Sequence, residues 1–381
     1  MKILIWGTGN TAKAIIERGI NGELVGFIRS QMYAGREQMS SYGVPVYTSE
    51  NIPIEYDVIF VASIYSDEIY QTIQKSGISL DKVCFWQLPT GGDICEKDNC
   101  EKASQFLSQE NLLWIPKGKR GTSITDDGSY PAFCQRAAKE DALFNHFRSH
   151  PLYKAVLEHT SYQFGKQYLD IICKNRQVNF DSQDWEDFSR NDLYGGAELS
   201  SFNISGKSFM ISPSTVHYIK VLQDIFTLFD TDEIKTVAEI GVGYGGQCRL
   251  LTSRMNNLKT YTLIDLPEVL PLAEKYLKHF ENREKLQFVD GTTDINLAET
   301  YDLAISNYAF SELVKNVQDH YLDKVLLKAR YGYITWNELS HNKLDGYRVE
   351  EIVERLPGRP EVIAEEPLTY EGNCIIVWGR G

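Results

Sequence analysis

The chain opens on an apolar run, Ile3-Leu4-Ile5-Trp6, that stops at Gly7 and gives way to apolar positions at helical spacing between Thr11 and Arg18. That order predicts a strand, a glycine turn and a helix. Strands are expected again at Glu23–Ile28, Tyr56–Ala62 and Val83–Trp86, with a helix through Ile69–Lys75, which makes a small α/β domain. Leu88-Pro89-Thr90-Gly91-Gly92-Asp93 marks its end.

From about residue 100 to 230 the strand rhythm fades. Phe144–Leu157 and Gln163–Asn175 carry apolar residues at helical spacing, which predicts a mostly helical connector able to cover a neighbouring site. Asp181–Asn203 reads as a loop, with Asn191–Gly196 at its turn-prone centre. Alternation then returns. A helix is expected over Val216–Leu228 and strands at Thr236–Ile240, Thr260–Ile264, Leu286–Val289, Leu303–Ser306 and Tyr333–Trp336, with helices around Leu270–Phe280 and Gln318–Ala329. Val362–Ala364 and Cys374–Trp378 are joined by a connection too short for a helix, so they should pair antiparallel. The expected class is α/β: a doubly wound parallel sheet closed by a C-terminal antiparallel hairpin, a smaller N-terminal Rossmann-like domain and a helical connector. The expected domains span residues 1–92, 93–205 and 206–381.

Composition narrows the partners. With 39 Lys and Arg against 52 Asp and Glu, the net charge of -13 repels phosphate backbones and anionic membranes, and the basic run Lys117–Arg120 is too short to reverse that field. No apolar stretch approaches the roughly 18 residues of a membrane span. The first strand is too short for a secretory leader, so a cytoplasmic location is expected. Seven scattered cysteines without paired spacing suit reduced thiols.

The chemistry concentrates at Glu239-Ile240-Gly241-Val242-Gly243-Tyr244-Gly245-Gly246, where a strand hands over to a helix and glycines let backbone approach a ligand. Gly241, Gly243 and Gly246 also satisfy a dinucleotide GxGxxG, with Asp265 near the expected ribose-binding position. Three features favour S-adenosylmethionine instead. Glu239 is an acid where a dinucleotide site wants an apolar residue, and it would hold the cationic methionine portion together with Gly241, Gly243 and Gly245. Asp265, in Asp265-Leu266-Pro267, would take the ribose hydroxyls. The closing hairpin is the third feature. Asp290, Gly291 and Thr292 follow the third strand where adenine would be framed, and Ser306 and Asn307 lie at the carboxyl edge of the fourth.

Residues from about Phe144 onward resemble the sugar O-methyltransferases related to an enzyme of polyether glycoside biosynthesis. The resemblance rests on Phe147-Arg148 with Tyr153 and Leu157-Glu158-His159, the glycine motif, Asp265-Leu266-Pro267, and Ser306-Asn307-Tyr308-Ala309-Phe310-Ser311-Glu312. It implies a class I methyltransferase sheet and methyl transfer from S-adenosylmethionine to a sugar or glycoside hydroxyl. Such transfer is an in-line displacement that needs a base, for which Glu312 and His320 are the candidates. His159 and Tyr308 are candidate acceptor contacts. Magnesium on Asp290, Asp294 and Glu312 is an open option, as is a homodimer; nucleic acid and membrane partners are not expected.

The N-terminal Gly7-Thr8-Gly9-Asn10-Thr11-Ala12 fits GxGxxA, yet its second strand ends at Arg29-Ser30 without a ribose-binding acid. With Gly43-Val44-Pro45-Val46 and Val61-Ala62-Ser63 it resembles the nucleotide-binding-like domains attached to sugar acetyltransferases. An NAD(P)-dependent oxidoreductase using this turn, or a non-catalytic nucleotide- or sugar-binding protein, are the alternative readings.

Overall fold

The structure is a computed structural model that describes residues 1–8, 10–29, 42–52, 55–63, 66–89, 94–108, 111–112, 123, 129–293, 300–338 and 345–380. Gly9, Thr90–Asp93, Lys117–Arg120 and Asp294 of the sequence reading lie outside the described residues. The chain forms two compact units, one over residues 1–121 and 126–129, the other over 122–125 and 130–381. Of the connector expected over 93–205, residues 130–205 fall in the second unit and 93–121 in the first.

The first unit is a parallel sheet of β1 (Lys2–Trp6), β2 (Glu23–Arg29), β3 (Val46–Thr48), β4 (Val58–Val61) and β5 (Val83–Phe85), ordered β3-β2-β1-β4-β5. Its strands read as continuous apolar runs because both faces are covered. Ile3, Ile5, Phe27 and Phe60 face Ala12 and Ile15 of α1 (Asn10–Glu17), whereas Leu4, Trp6, Ile59 and Val61 face Ile69 and Ile73 of α2 (Ser66–Ser76). Helix α3 (Glu96–Ser104) adds Ala103 to the first face. Gly7 has φ +119°, and a Cβ there would stand 2.7 Å from the carbonyl oxygen of Ala62, which follows β4, so the backbone there has no room for a side chain. β3 was not expected, since three residues are too few for a period to show.

From Tyr130 on, the second unit carries α4 (Ser129–Lys139), α5 (Asp141–Phe144), α6 (Pro151–Val156), α7 (Tyr162–Lys174) and α8 (Ser182–Ser189). The helix expected over Phe144–Leu157 is interrupted. Pro151 starts a new helix at its first position and His150 caps it, which ends continuity with α5. The loop expected over Asp181–Asn203 instead contains α8 and the start of a hairpin. Asp181 Oδ1 accepts the Gln183 and Asp184 amides, Asp184 Oδ2 accepts the Asp181 amide, and Trp185 and Phe188 are buried, so a capping box hidden in a polar stretch starts a helix. β6 (Ser200–Ile204) and β7 (Lys207–Ile211) then pair through Ser205 and Gly206, both at positive φ, the tight turn that suits strand twist.

Helix α9 (Pro213–Leu228) leads into the main sheet of β8 (Thr236–Ile240), β9 (Thr260–Asp265), β10 (Leu286–Asp290), β11 (Tyr301–Asn307), β12 (Ala329–Trp336), β13 (Glu361–Ala364) and β14 (Cys374–Trp378). Spatial order is β10-β9-β8-β11-β12-β14-β13, with β8 to β12 parallel and β14 antiparallel to both neighbours. This is the doubly wound parallel sheet with a closing antiparallel hairpin that the sequence predicts. Helices α10 (Gly246–Arg254), α11 (Leu270–Leu277), α12 (Lys315–Lys324) and α13 (Val349–Val353) complete the unit. Strand order reverses between β8 and β11, so the crevice of an open α/β sheet falls at their carboxyl ends. No helix among the described residues is long and apolar enough to cross a membrane.

Candidate functional site

Immediately after β8 the chain turns through Gly241, Gly243 and Gly245, at φ +77°, +55° and +88°. A Cβ on Gly241 would overlap the Ala309 Cβ, and one on Gly243 would stand 2.8 Å from Leu157 Cδ1. Side chains are therefore excluded by both conformation and space. Gly245 is the residue before α10 and offers no capping side chain, leaving the first amides of that helix facing the turn.

Asp265, the last residue of β9, ties itself to this turn: Oδ2 accepts the Gly243 amide at 3.0 Å and Oδ1 accepts the Leu266 amide at 2.7 Å. Backbone amides thus orient both oxygens, and a carboxylate so held can still accept from a ribose hydroxyl. Burial pushes this carboxyl up to about 6 against the opposing pull of its amide donors. Glu239 lies 3% exposed on β8 and accepts the Tyr261 hydroxyl at 2.7 Å. Burial pushes it up to about 8; the Tyr261 bond works against that shift and nearby Asp265 adds to it. A cation beside Glu239 would favour its ionised form.

The remaining candidate contacts divide. Asp290 Oδ1 accepts both the amide and the hydroxyl of Thr292, at 2.8 and 2.6 Å, and the Gly291 amide donates to the Asp265 carbonyl at 2.9 Å. The turn after β10 is thus rigid and adjoins Asp265. Ser306 is occupied structurally: its hydroxyl donates to the Ile240 carbonyl at 3.1 Å and accepts the Phe310 amide at 3.0 Å. Asn307 Oδ1 accepts from Thr335 at 3.1 Å, while its Nδ2 is buried with no partner among the described residues. An orphaned donor at this edge needs a ligand or water.

Above the turn, a buried ion network folds the helical segment into place. Arg148 donates to Glu158 at 2.5 Å, Asp192 at 2.7 Å and Ser212 at 3.0 Å, and its guanidinium lies 4.6 Å from the Tyr244 ring centre. Asp192 also accepts from Thr215 and from the Ser212 amide at 2.7 and 2.6 Å. This arrangement carries Leu157 to Gly243, and Tyr153 packs 6.5 Å from the Tyr244 ring. Tyr130 and Cys134 of α4 are buried near enough to Asp265 for its charge to raise both further.

Tyr308 directly follows β11 with φ +64°, a conformation that costs a non-glycine residue about 1–3 kcal/mol. Its amide donates to the Thr335 carbonyl at 2.9 Å and its hydroxyl to Glu365. Around it stand residues that sequence reading missed. The His217 ring lies 4.8 Å from Tyr168, 5.9 Å from Tyr218 and 6.0 Å from Tyr308. His159 lies close enough to His217 to oppose its protonation, so two of the expected acceptor contacts, His159 and Tyr308, converge on His217. Nothing along the chain marks His217, because apart from adjacent Tyr218 its surroundings come from three other segments.

Of the candidate bases, Glu312 accepts the Asn337 side-chain amide at 2.8 Å, at the end of β12. His320 sits on α12 with Nε2 buried and unpartnered among the described residues, its ring 5.7 Å from Tyr321. Among the described residues no group of three or more His, Cys, Asp and Glu is arranged to hold a metal.

A family profile described as C2185-like, N-terminal, matches residues 1–84. A search of curated proteins by sequence gives no match. Among solved structures, the chain is similar to the methyltransferase domain of bacterial CtHen1, at 13% identity and TM-score 0.34, covering 42% of this chain and 96% of that one. It is similar to NcsB1, an O-methyltransferase of neocarzinostatin biosynthesis solved with S-adenosyl-L-homocysteine and 1,4-dihydroxy-2-naphthoic acid, at 14% identity and TM-score 0.32, over 42% of this chain and 55% of that one. Human N-acetylserotonin methyltransferase, solved with S-adenosylmethionine, is similar at 14% identity and TM-score 0.31, over 44% and 55%.

Proposed function

We propose that the second unit is an S-adenosylmethionine-dependent O-methyltransferase acting on a hydroxyl of a sugar or glycoside. One observation carries the reading: Gly243 and Asp265 are joined at the carboxyl edge of a sheet ordered β10-β9-β8-β11-β12-β14-β13, with Glu239 buried beside them. Asp265 would take the ribose hydroxyls, Glu239 the cationic amino-acid tail, and Asn307 Nδ2 would gain a partner. When bound, the cofactor supplies a sulfonium methyl group for displacement. Leu157, Tyr153 and Tyr130 exclude water from the turn, which strengthens these polar contacts.

The sugar acceptor is supported by the motif resemblance and by the tyrosine rings beside Tyr308, whose flat faces suit the C–H faces of a pyranose. For the first unit we propose an accessory role in assembly or nucleotide binding, with Arg29 the candidate for a phosphate. Isothermal calorimetry with S-adenosylhomocysteine and NADH tests the central reading. Binding of the former is expected; binding of NADH alone would replace methyl transfer with hydride transfer.

A further inference from the structure

We propose that His217 is the base that takes the acceptor's proton, and that Tyr168, Tyr218 and Tyr308 form the wall against which the acceptor lies. This inference rests on the methyl-transfer reading and names the acceptor side of that same site.

Two stretches of chain place His217 beside the glycine turn. Tyr308, 6.0 Å from its ring, is followed at once by Ala309, which abuts Gly241. His159, close enough to influence its charge, lies two residues beyond Leu157, which abuts Gly243. From the third side, Tyr218 stands over α10, 2.8 Å from where a Gly246 Cβ would be. The His217 ring is held in place by stacking on Tyr168 and Tyr218, at 4.8 and 5.9 Å between ring centres. Tyr308 is held by Glu365 in a strained backbone conformation, so the wall is fixed from behind.

Burial, Lys220 and His159 push His217 down to about 3, which leaves its imidazole neutral and able to accept a proton at physiological pH. The hydroxyl proton passes to an imidazole nitrogen of His217 as the oxygen lone pair forms the new C–O bond. The methyl–sulfur bond breaks with its electron pair going to sulfur, giving a methyl ether and S-adenosylhomocysteine; the imidazolium then releases its proton to solvent. A weak base is sufficient, because an alcohol oxygen becomes strongly acidic as it gains a carbon substituent.

The test pairs calorimetry with radiolabelled methyl transfer from S-adenosylmethionine to a panel of methyl glycopyranosides and simple phenols. His217→Ala and His217→Gln should bind S-adenosylhomocysteine within about threefold of wild type, yet lose about 100-fold or more in kcat. Added imidazole should partly restore the alanine variant, which a merely structural role would not permit. Should alanine prevent folding, the glutamine variant decides, since its amide fills similar space without taking a proton. Turnover within threefold of wild type in a folded variant overturns the base; a wild type that binds S-adenosylhomocysteine but methylates no panel member overturns the acceptor wall. Absence of S-adenosylhomocysteine binding by wild type would instead defeat the methyl-transfer reading itself.

Discussion

The Gly243 amide donates to Asp265 Oδ2 at 3.0 Å, joining the turn after β8 to the acid ending β9 through protein atoms alone. A ribose placed here would meet a carboxylate already aimed and partly desolvated. Such preorganisation reduces the ordering cost of binding.

Asp265→Ala therefore removes both the proposed ribose acceptor and the anchor of the turn. Hydrogen bonds to a charged group contribute about 1.5–3 kcal/mol each, so S-adenosylhomocysteine affinity should fall by about 100-fold. Calorimetry that returns an unchanged dissociation constant would remove Asp265 from the site.

Glu239 makes a proton-linked prediction. Its folded value, about 8, lies above the ordinary 4.5, so the folded chain holds the extra proton between those values and stability falls as pH rises through that window. At pH 7 the group is mostly protonated; if a cationic amino-acid tail ionises it, binding releases a proton. Calorimetry in buffers of different ionisation enthalpy should reveal that release, and Glu239→Gln should abolish it. Buffer-independent heats in wild type would place the tail elsewhere.

Gly241→Ala forces a side chain into a position at φ +77° where it overlaps Ala309. Backbone strain alone costs about 1–3 kcal/mol, and relief by shifting Ala309 would displace Tyr308. Loss of S-adenosylhomocysteine binding with a lower Tm is expected. Wild-type affinity in the variant would show that the turn need not approach a ligand closely.

Arg148→Ala leaves Glu158 and Asp192 buried, with side chains 6% and 2% exposed, and without their shared cation. Breaking such a pair from one side costs about 3–5 kcal/mol. Chemical denaturation should register that loss, and the variant should also bind S-adenosylhomocysteine less tightly because Leu157 is released from Gly243. A small stability change would mean that the network is not what holds this segment down.

Much of the main sheet was legible along the chain. Thr236–Ile240 and Cys374–Trp378 are read with the bounds these strands have, and the other main-sheet strands differ only at their ends. The helix at Ser182 was missed because polar residues of a capping box resemble a loop until Trp185 and Phe188 are seen buried. The Ser306 hydroxyl bonds the Ile240 carbonyl and the Phe310 amide, a use that the sequence did not reveal because it depends on a neighbouring strand.

Local pattern by itself determined the strand-and-helix order, the antiparallel close, the glycine turn and the acids at the ends of β8 and β9, because each is a matter of period or of residues adjacent in the chain. Only the tertiary structure decided that Arg148 would bind Asp192, 44 residues on, and that His217 would stand among Tyr168, Tyr218, Tyr308 and His159. Such sites form where the sheet's strand order reverses and distant segments converge, so the chemistry of their members depends on neighbours that no local spacing records.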